Sequence, residues 1–155
     1  MATRAPTRSE LTDLRTADVM HPGVLTCPPT TPLRVVARML AAYNVHCVVV
    51  FESADDREPG ESMWGIVTDL DLVNAASSGD LDDRTAGGSA ATPVVLVSGR
   101  DPLDCAVELM KEHSTNHLVV VEPDTFQPVG VLSALDVAAA LAGVEVHSGP
   151  PRVGR

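Results

Sequence analysis

The heptapeptide Gly65-Ile66-Val67-Thr68-Asp69-Leu70-Asp71 returns as Gly130-Val131-Leu132-Ser133-Ala134-Leu135-Asp136, and the pattern around it returns as well. Pro32 and Pro102 stand 70 residues apart, as do Glu52 and Glu122, whereas Gly65 and Gly130 stand 65 apart. The first copy therefore carries a longer hairpin loop. Pro22 and Pro93 stand 71 apart, so the second copy loses one residue before its helix. Insertions confined to loops are what a duplication leaves behind. A unit of roughly 60–70 residues present only twice is too long for a solenoid. Two half-domains with incomplete sheets bury their apolar faces by pairing, which predicts a pseudo-twofold intramolecular pair.

Each copy reads strand, helix, strand, strand, helix, so the fold class is mixed α/β (α+β) with two β-α-β-β-α repeats. In the first copy, Asp18-Val19-Met20-His21-Pro22 predicts a turn or one helical turn stopped by proline. Residues 24–26 make a short strand, and Thr31 caps a helix that has Pro32 at its first position. Leu33, Val36, Ala37, Met39 and Leu40 recur at helical spacing until Asn44 or His46 ends the run. Cys47-Val48-Val49-Val50-Phe51 is apolar without a break, the mark of a buried strand. The charged stretch 52–63, with Pro59-Gly60 inside, is a hairpin loop; 64–67 is the returning strand and 70–77 a helix. In the second copy 94–97, 103–112 and 118–121 repeat strand, helix and strand. The expected boundaries are a flexible tail at 1–15, a first repeat at 16–80, a polar Gly-rich linker at 81–91, a second repeat at 92–143 and a flexible tail at 144–155.

Composition removes several function classes. Aromatic residues are 3% of the 155, so the core is aliphatic and the stacking platform of single-strand nucleic-acid binders is missing. A formal net charge of −10 gives no general support for a duplex-binding surface. Cys27, Cys47 and Cys105 form no CxxC, which fits reduced thiols in a cytoplasmic protein. No apolar run approaches a membrane span, and no apolar leader segment opens the chain. Lys111 is the single lysine among 11 basic residues, the usage of a bacterium with G+C-rich DNA.

Thr68-x-x-Asp71 and Ser133-x-x-Asp136 support two readings. Both fit the capping-box template, in which the hydroxyl and the third-position acid tie down the first helical turn. Yet that template favours Glu or Gln over the shorter Asp. The hydroxyl also ends a strand where helix N–H groups and the helix dipole favour an anion. On the binding reading the hydroxyl meets a phosphate, and the aspartate turns to the ribose hydroxyls, away from like charge. On the residues alone, both readings stand.

The tandem resembles a pair of cystathionine-β-synthase-type (CBS) domains. The resemblance runs from about residue 18 to 141 and is carried by Val19-Met20-His21-Pro22, the Pro-Leu helix starts at Pro32 and Pro102, the two valine-rich strands and, above all, the paired heptapeptides. It implies a non-catalytic regulatory module, often energy-sensing, that binds an adenosine-containing ligand in the cleft between the repeats. AMP comes first among such ligands, with ADP, ATP and S-adenosylmethionine as the others, and no further cofactor is required. It further implies signalling through conformational or oligomeric change, a homodimer and a protein target. Carried over to this chain, the ligand residues are Thr26, Cys27, Cys47, Val48, Thr68 and Asp71 in the first repeat. In the second they are Val97, His117, Leu118, Ser133 and Asp136. A ligand-free oligomerisation or scaffolding module, with the two motifs acting only as helix caps, is the alternative.

Two departures narrow the ligand. Many relatives place Arg between the two acids of the motif, where this chain has Leu70 and Leu135, and proline in the middle strand, where it has Val49 and Val119. The nearby cationic candidates are Arg34, Arg38, Arg100, Lys111 and His117, so a triphosphate is under-compensated. A monophosphate or a sulfonium nucleoside fits better. No Cys or His pair has zinc-site spacing. No G-x-S-x-G nucleophile signature occurs, and Ala86-Gly87-Gly88-Ser89 lacks the lysine of a P-loop. The residues present no catalytic constellation and no metal site.

Overall fold

The two valine-rich runs form the middle strands of two separate sheets in the computed structural model, which describes residues 11–52, 63–91 and 94–143. The expected loop tip at 53–62, the Thr92-Pro93 pair, most of the expected N-terminal tail and the whole of the C-terminal one lie outside the described residues. In chain order the first elements are α1 (Thr16–Val19), β1 (His21–Pro22), β2 (Thr26–Cys27), α2 (Leu33–Tyr43), β3 (Cys47–Phe51), β4 (Met63–Thr68) and α3 (Asp69–Ser77). They are followed by α4 (Ala86–Ser89), β5 (Leu96–Ser98), α5 (Leu103–Glu112), β6 (His117–Val121), β7 (Pro128–Ser133) and α6 (Ala134–Leu141). The expected mixed α/β order of strand, helix, strand, strand, helix is present twice.

In one sheet the order is β2-β3-β4, with β2 parallel to β3 and β4 antiparallel to it. The other has the order β1-β7-β6-β5, with the same relations among β5, β6 and β7. Parallel neighbours need a crossover, and α2 and α5 supply it. Each of these helices buries one face. Leu33, Val36 and Leu40 pack on Val48, Val50 and Val67 in the first core. Leu103 and Ala106 pack on Leu118, Val120 and Leu132 in the second. Full burial of such a side chain stabilises by about 1.5–3 kcal/mol. Val49 and Val119, which alternate onto the opposite sheet face, are fully buried as well. With both faces covered, an unbroken apolar run is what the strand requires.

Helix ends follow local chemistry, with one difference from expectation. α2 stops where Asn44 turns left-handed at φ 51°, and Ser114, the matching residue after α5, takes φ 49°. Thr31 does not cap α2. Pro32 itself is the N-cap, in extended conformation, and its carbonyl accepts from the Val35 and Val36 amides. Pro102 does the same for α5. A prolyl ring presets φ near the value needed there and removes a donor that would have no partner.

The contacts divide the chain into two compact units that are not the two contiguous repeats. One unit joins residues 11–23 to 95–143; the other is built from the described residues between 24 and 94. The segment before each repeat is thus traded to the other sheet. The Thr16 amide donates to the Asp101 carbonyl and the Ala17 amide to that of Gly99. In the matching place the Ala86 amide donates to the Thr31 carbonyl and the Gly87 amide to that of Pro29. His21 pairs with Val131 on β7, and Ala91 bridges to Ile66 on β4. The stretch 81–91, read as linker, therefore holds a helical turn with Ala86 fully buried. Leu11, read as part of a tail, is buried in the second core. Gly130 has its own reason to be glycine, because a Cβ there would stand 2.6 Å from the His21 carbonyl oxygen and from the Met20 sulfur.

Candidate functional site

In each repeat the last strand hands over directly to its helix, and the hydroxyl residue is the hinge of that joint. Thr68 closes β4 as N-cap of α3, and Ser133 closes β7 as N-cap of α6, both with extended backbone. The aspartate three residues on returns to its own N-cap. Asp71 Oδ2 accepts from the Thr68 amide at 2.8 Å and from the Thr68 hydroxyl at 3.0 Å. Asp136 Oδ2 accepts from the Ser133 amide at 2.8 Å and from its hydroxyl at 2.9 Å. The reverse bonds, from the Asp71 and Asp136 amides to the hydroxyl oxygens, measure 3.4 and 3.1 Å. The box is closed in both repeats, although the template favours Glu or Gln over the shorter Asp.

One oxygen of each carboxylate makes all of these bonds. Oδ1 of Asp71 and of Asp136 takes no partner among the described residues, and both side chains are only partly buried. An ionised carboxylate has about four lone-pair sites, so each aspartate keeps acceptor capacity for a diol. The first residue of each helix also bonds to the residue just before the middle strand. The Asp69 amide donates to the His46 carbonyl and the Ala134 amide to that of Asn116, both at 2.9 Å.

Register decides which expected residues accompany the hinge. Cys47 is the cross-strand partner of Thr68, and His117 that of Ser133. Strand alternation puts Thr26, Cys47 and Thr68 on the sheet face opposite to the first core. It puts Leu96, His117 and Ser133 on the equivalent face of the other sheet. Cys27, Val48, Val97 and Leu118, also expected at the site, turn into the two cores. Burial raises the pKa of the Cys27 thiol, partly offset by its hydrogen bond with Thr31, which marks it as a core group.

Three of the expected cations are engaged by acids, while His117 stands at the second hinge. Arg34 makes a bidentate pair with Asp82, Arg100 reaches Glu122 and Asp124, and Lys111 reaches Glu108. Missed from sequence was the pair of His46 Nδ1 with Asp69 Oδ2 at 3.0 Å. Its only signal was that the acid at 69 has no counterpart at 134. Among the described residues no group of three or more His, Cys, Asp or Glu is placed to hold a metal ion, and no helix is long and apolar enough to cross a membrane. An open depression lined by Asp104, Cys105, Glu108, Leu109 and Glu112 lies on α5, not at either hinge.

Comparison with known proteins places this geometry. The family model described as CBS domain matches residues 17–78 and 90–143. No curated protein matches the chain. A CBS domain protein from Pyrobaculum aerophilum, solved in complex with AMP, is 29% identical, with a TM-score of 0.69 over 84% of this chain and 98% of that one. The CBS domain pair of protein MJ0100, in complex with 5′-methylthioadenosine and S-adenosyl-L-methionine, is 17% identical, with a TM-score of 0.70 over 84% and 97%. The CBS domain of a bacterial CNNM/CorC family Mg2+ transporter, in complex with ATP, is also 17% identical, with a TM-score of 0.70 over 88% and 92%. At that identity the last two likenesses speak for the fold alone. With both repeats matched and the hinge formed twice, the chain belongs to the CBS domain family as a tandem pair.

Proposed function

We propose that the protein is a non-catalytic regulatory module that binds an adenosine-containing ligand at its strand-to-helix hinges and signals by a change of conformation or self-association. The observation that carries this reading is that Oδ1 of Asp71 and of Asp136, held by the capping box at the same place in both repeats, has no partner among the described residues. It would accept from ribose hydroxyls, while the Thr68 or Ser133 hydroxyl and, in the second repeat, the Leu135 amide would meet a phosphate or another polar group. The AMP-bound relative at 29% identity supports an adenosine ligand of this class. A monophosphate suits the site better than a triphosphate, since Leu70 and Leu135 bring no charge and Arg34 and Arg100 are paired. Exposed Leu70 and Val73 on one face of α3, and exposed Leu135 and Leu141 on α6, offer apolar surface that a second copy would cover. We place the module in the cytoplasm because none of its three cysteines is in a disulfide among the described residues.

Isothermal titration of AMP, ADP, ATP and S-adenosylmethionine against wild type, Asp71→Ala and Asp136→Ala tests the reading. Loss of a charged ribose acceptor should weaken the affected site about ten- to one-hundred-fold. Absence of heat with every ligand would sink the sensor reading, and binding intact in both variants would sink the site assignment. The second reading, a ligand-free self-association module, draws on the fully closed capping boxes. It predicts a thermal midpoint indifferent to nucleotides and a mass in solution that depends on concentration.

A further inference from the structure

We propose that Asp69 is a specificity-determining residue: it reserves the first repeat's hinge for an uncharged or sulfonium-bearing adenosine ligand and leaves phosphate-bearing ones to the second. The inference rests on the binding reading above and names the ligand class of each site. Its ground is the difference between two hinges that are otherwise alike. In the first repeat Asp69 Oδ1 accepts from the Leu70 amide at 2.8 Å, and its Oδ2 meets His46 Nδ1 at 3.0 Å. The protein's own carboxylate already takes up a first-turn amide and the imidazole that an incoming phosphate would use. Whether the ring is neutral or charged, its Nδ1 is directed at Asp69. A phosphate arriving here would displace that carboxylate or lie beside it, and like charges at such range repel.

The second repeat lacks this guard. Ala134 stands in place of Asp69, Asn116 in place of His46, and His117 in place of Cys47. The Leu135 amide, counterpart of the Leu70 amide, takes no partner among the described residues. His117 sits directly across the ladder from Ser133, its Nδ1 2.9 Å from Asn116 Oδ1, a neutral partner where His46 has the Asp69 carboxylate. One hinge thus presents an acid at its mouth; the other has no acid there and presents an amide without a partner among the described residues. A sulfonium or neutral substituent suits the former, a phosphate the latter.

The test follows the Leu70 and Leu135 amides of the full chain by nitrogen-15 NMR during titration with AMP, adenosine or S-adenosylmethionine. AMP should shift Leu135 at lower concentration than Leu70, whereas adenosine and S-adenosylmethionine should shift Leu70 at least as early. Ala134→Asp, at an exposed position, should weaken AMP at the second hinge about five-fold, the scale of an exposed charge interaction, and leave adenosine within about two-fold. Asp69→Asn should strengthen AMP at the first hinge by a similar factor. AMP shifting Leu70 first, or either substitution moving AMP and adenosine alike, would overturn the assignment while sparing the binding reading. If none of the three ligands moves either amide, the binding reading fails and this inference fails with it.

Discussion

Leu33 and Leu103 start their helices at matching places, both fully buried, and Val48 and Leu118, Val50 and Val120, Val67 and Leu132 match beneath them. At the hinges the same comparison finds Asp69 against Ala134, His46 against Asn116 and Cys47 against His117. Core positions are held alike because close packing tolerates little change in volume. Most hinge positions face solvent, and a substitution there changes chemistry at little cost in stability. Two hinges on one scaffold can therefore part in charge while their cores stay in step.

A test of the traded segments carries the largest expected effect. Gly130→Ala would drive a Cβ into the His21 carbonyl, so β1 or β7 must shift. The expected cost is about 1–3 kcal/mol, read as a lower urea midpoint. An unchanged midpoint would show that the segment at 16–22 does not hold β7 as described. Next in size, Thr68→Ala and Ser133→Ala each remove one capping hydroxyl and should each cost about 1 kcal/mol. Equal losses would confirm that the hinges are structurally equivalent; a loss in one alone would break the comparison at its closest point.

The smallest effect concerns the hairpin after the middle strand, where the second repeat is the shorter. Glu122 accepts from the Thr125 and Asp124 amides and the Thr125 hydroxyl, and these bonds, led by Thr125 and assisted by Arg100, hold its pKa below the usual carboxylate range. A pKa lowered on folding adds stability above the ordinary glutamate value, and that gain is lost as pH falls through the folded value. Wild type should therefore exceed Glu122→Gln in thermal midpoint at neutral pH, with the gap closing below about pH 4. A gap that persists in acid would show the turn to be held by something other than this charge.

Much of the fold was legible because its signals are local. The helical spacing of Leu33, Val36 and Leu40 and the β-branched run at 47–51 each lie within one element. The hinge was legible through its repetition, but its companions were not. Whether Thr26 or Cys27 shares the hinge face depends on strand register, and one residue of slip exchanges the two faces. The bond from His46 to Asp69 was hidden because it joins the start of one strand to the end of its neighbour, 23 residues on.

By itself the sequence determined that there are two copies, that each has an apolar middle strand, and that each ends in a hydroxyl and an aspartate poised at a helix start. Side-chain chemistry over a few consecutive residues is enough for that. Tertiary structure alone decided which sheet receives the segment before each repeat. His21-Pro22 and its mirror at Ala91 carry backbone groups that must find partners. Nothing local says which edge will supply them. That choice was made by Val131, over a hundred residues from His21, and by the space that Gly130 leaves open beside it.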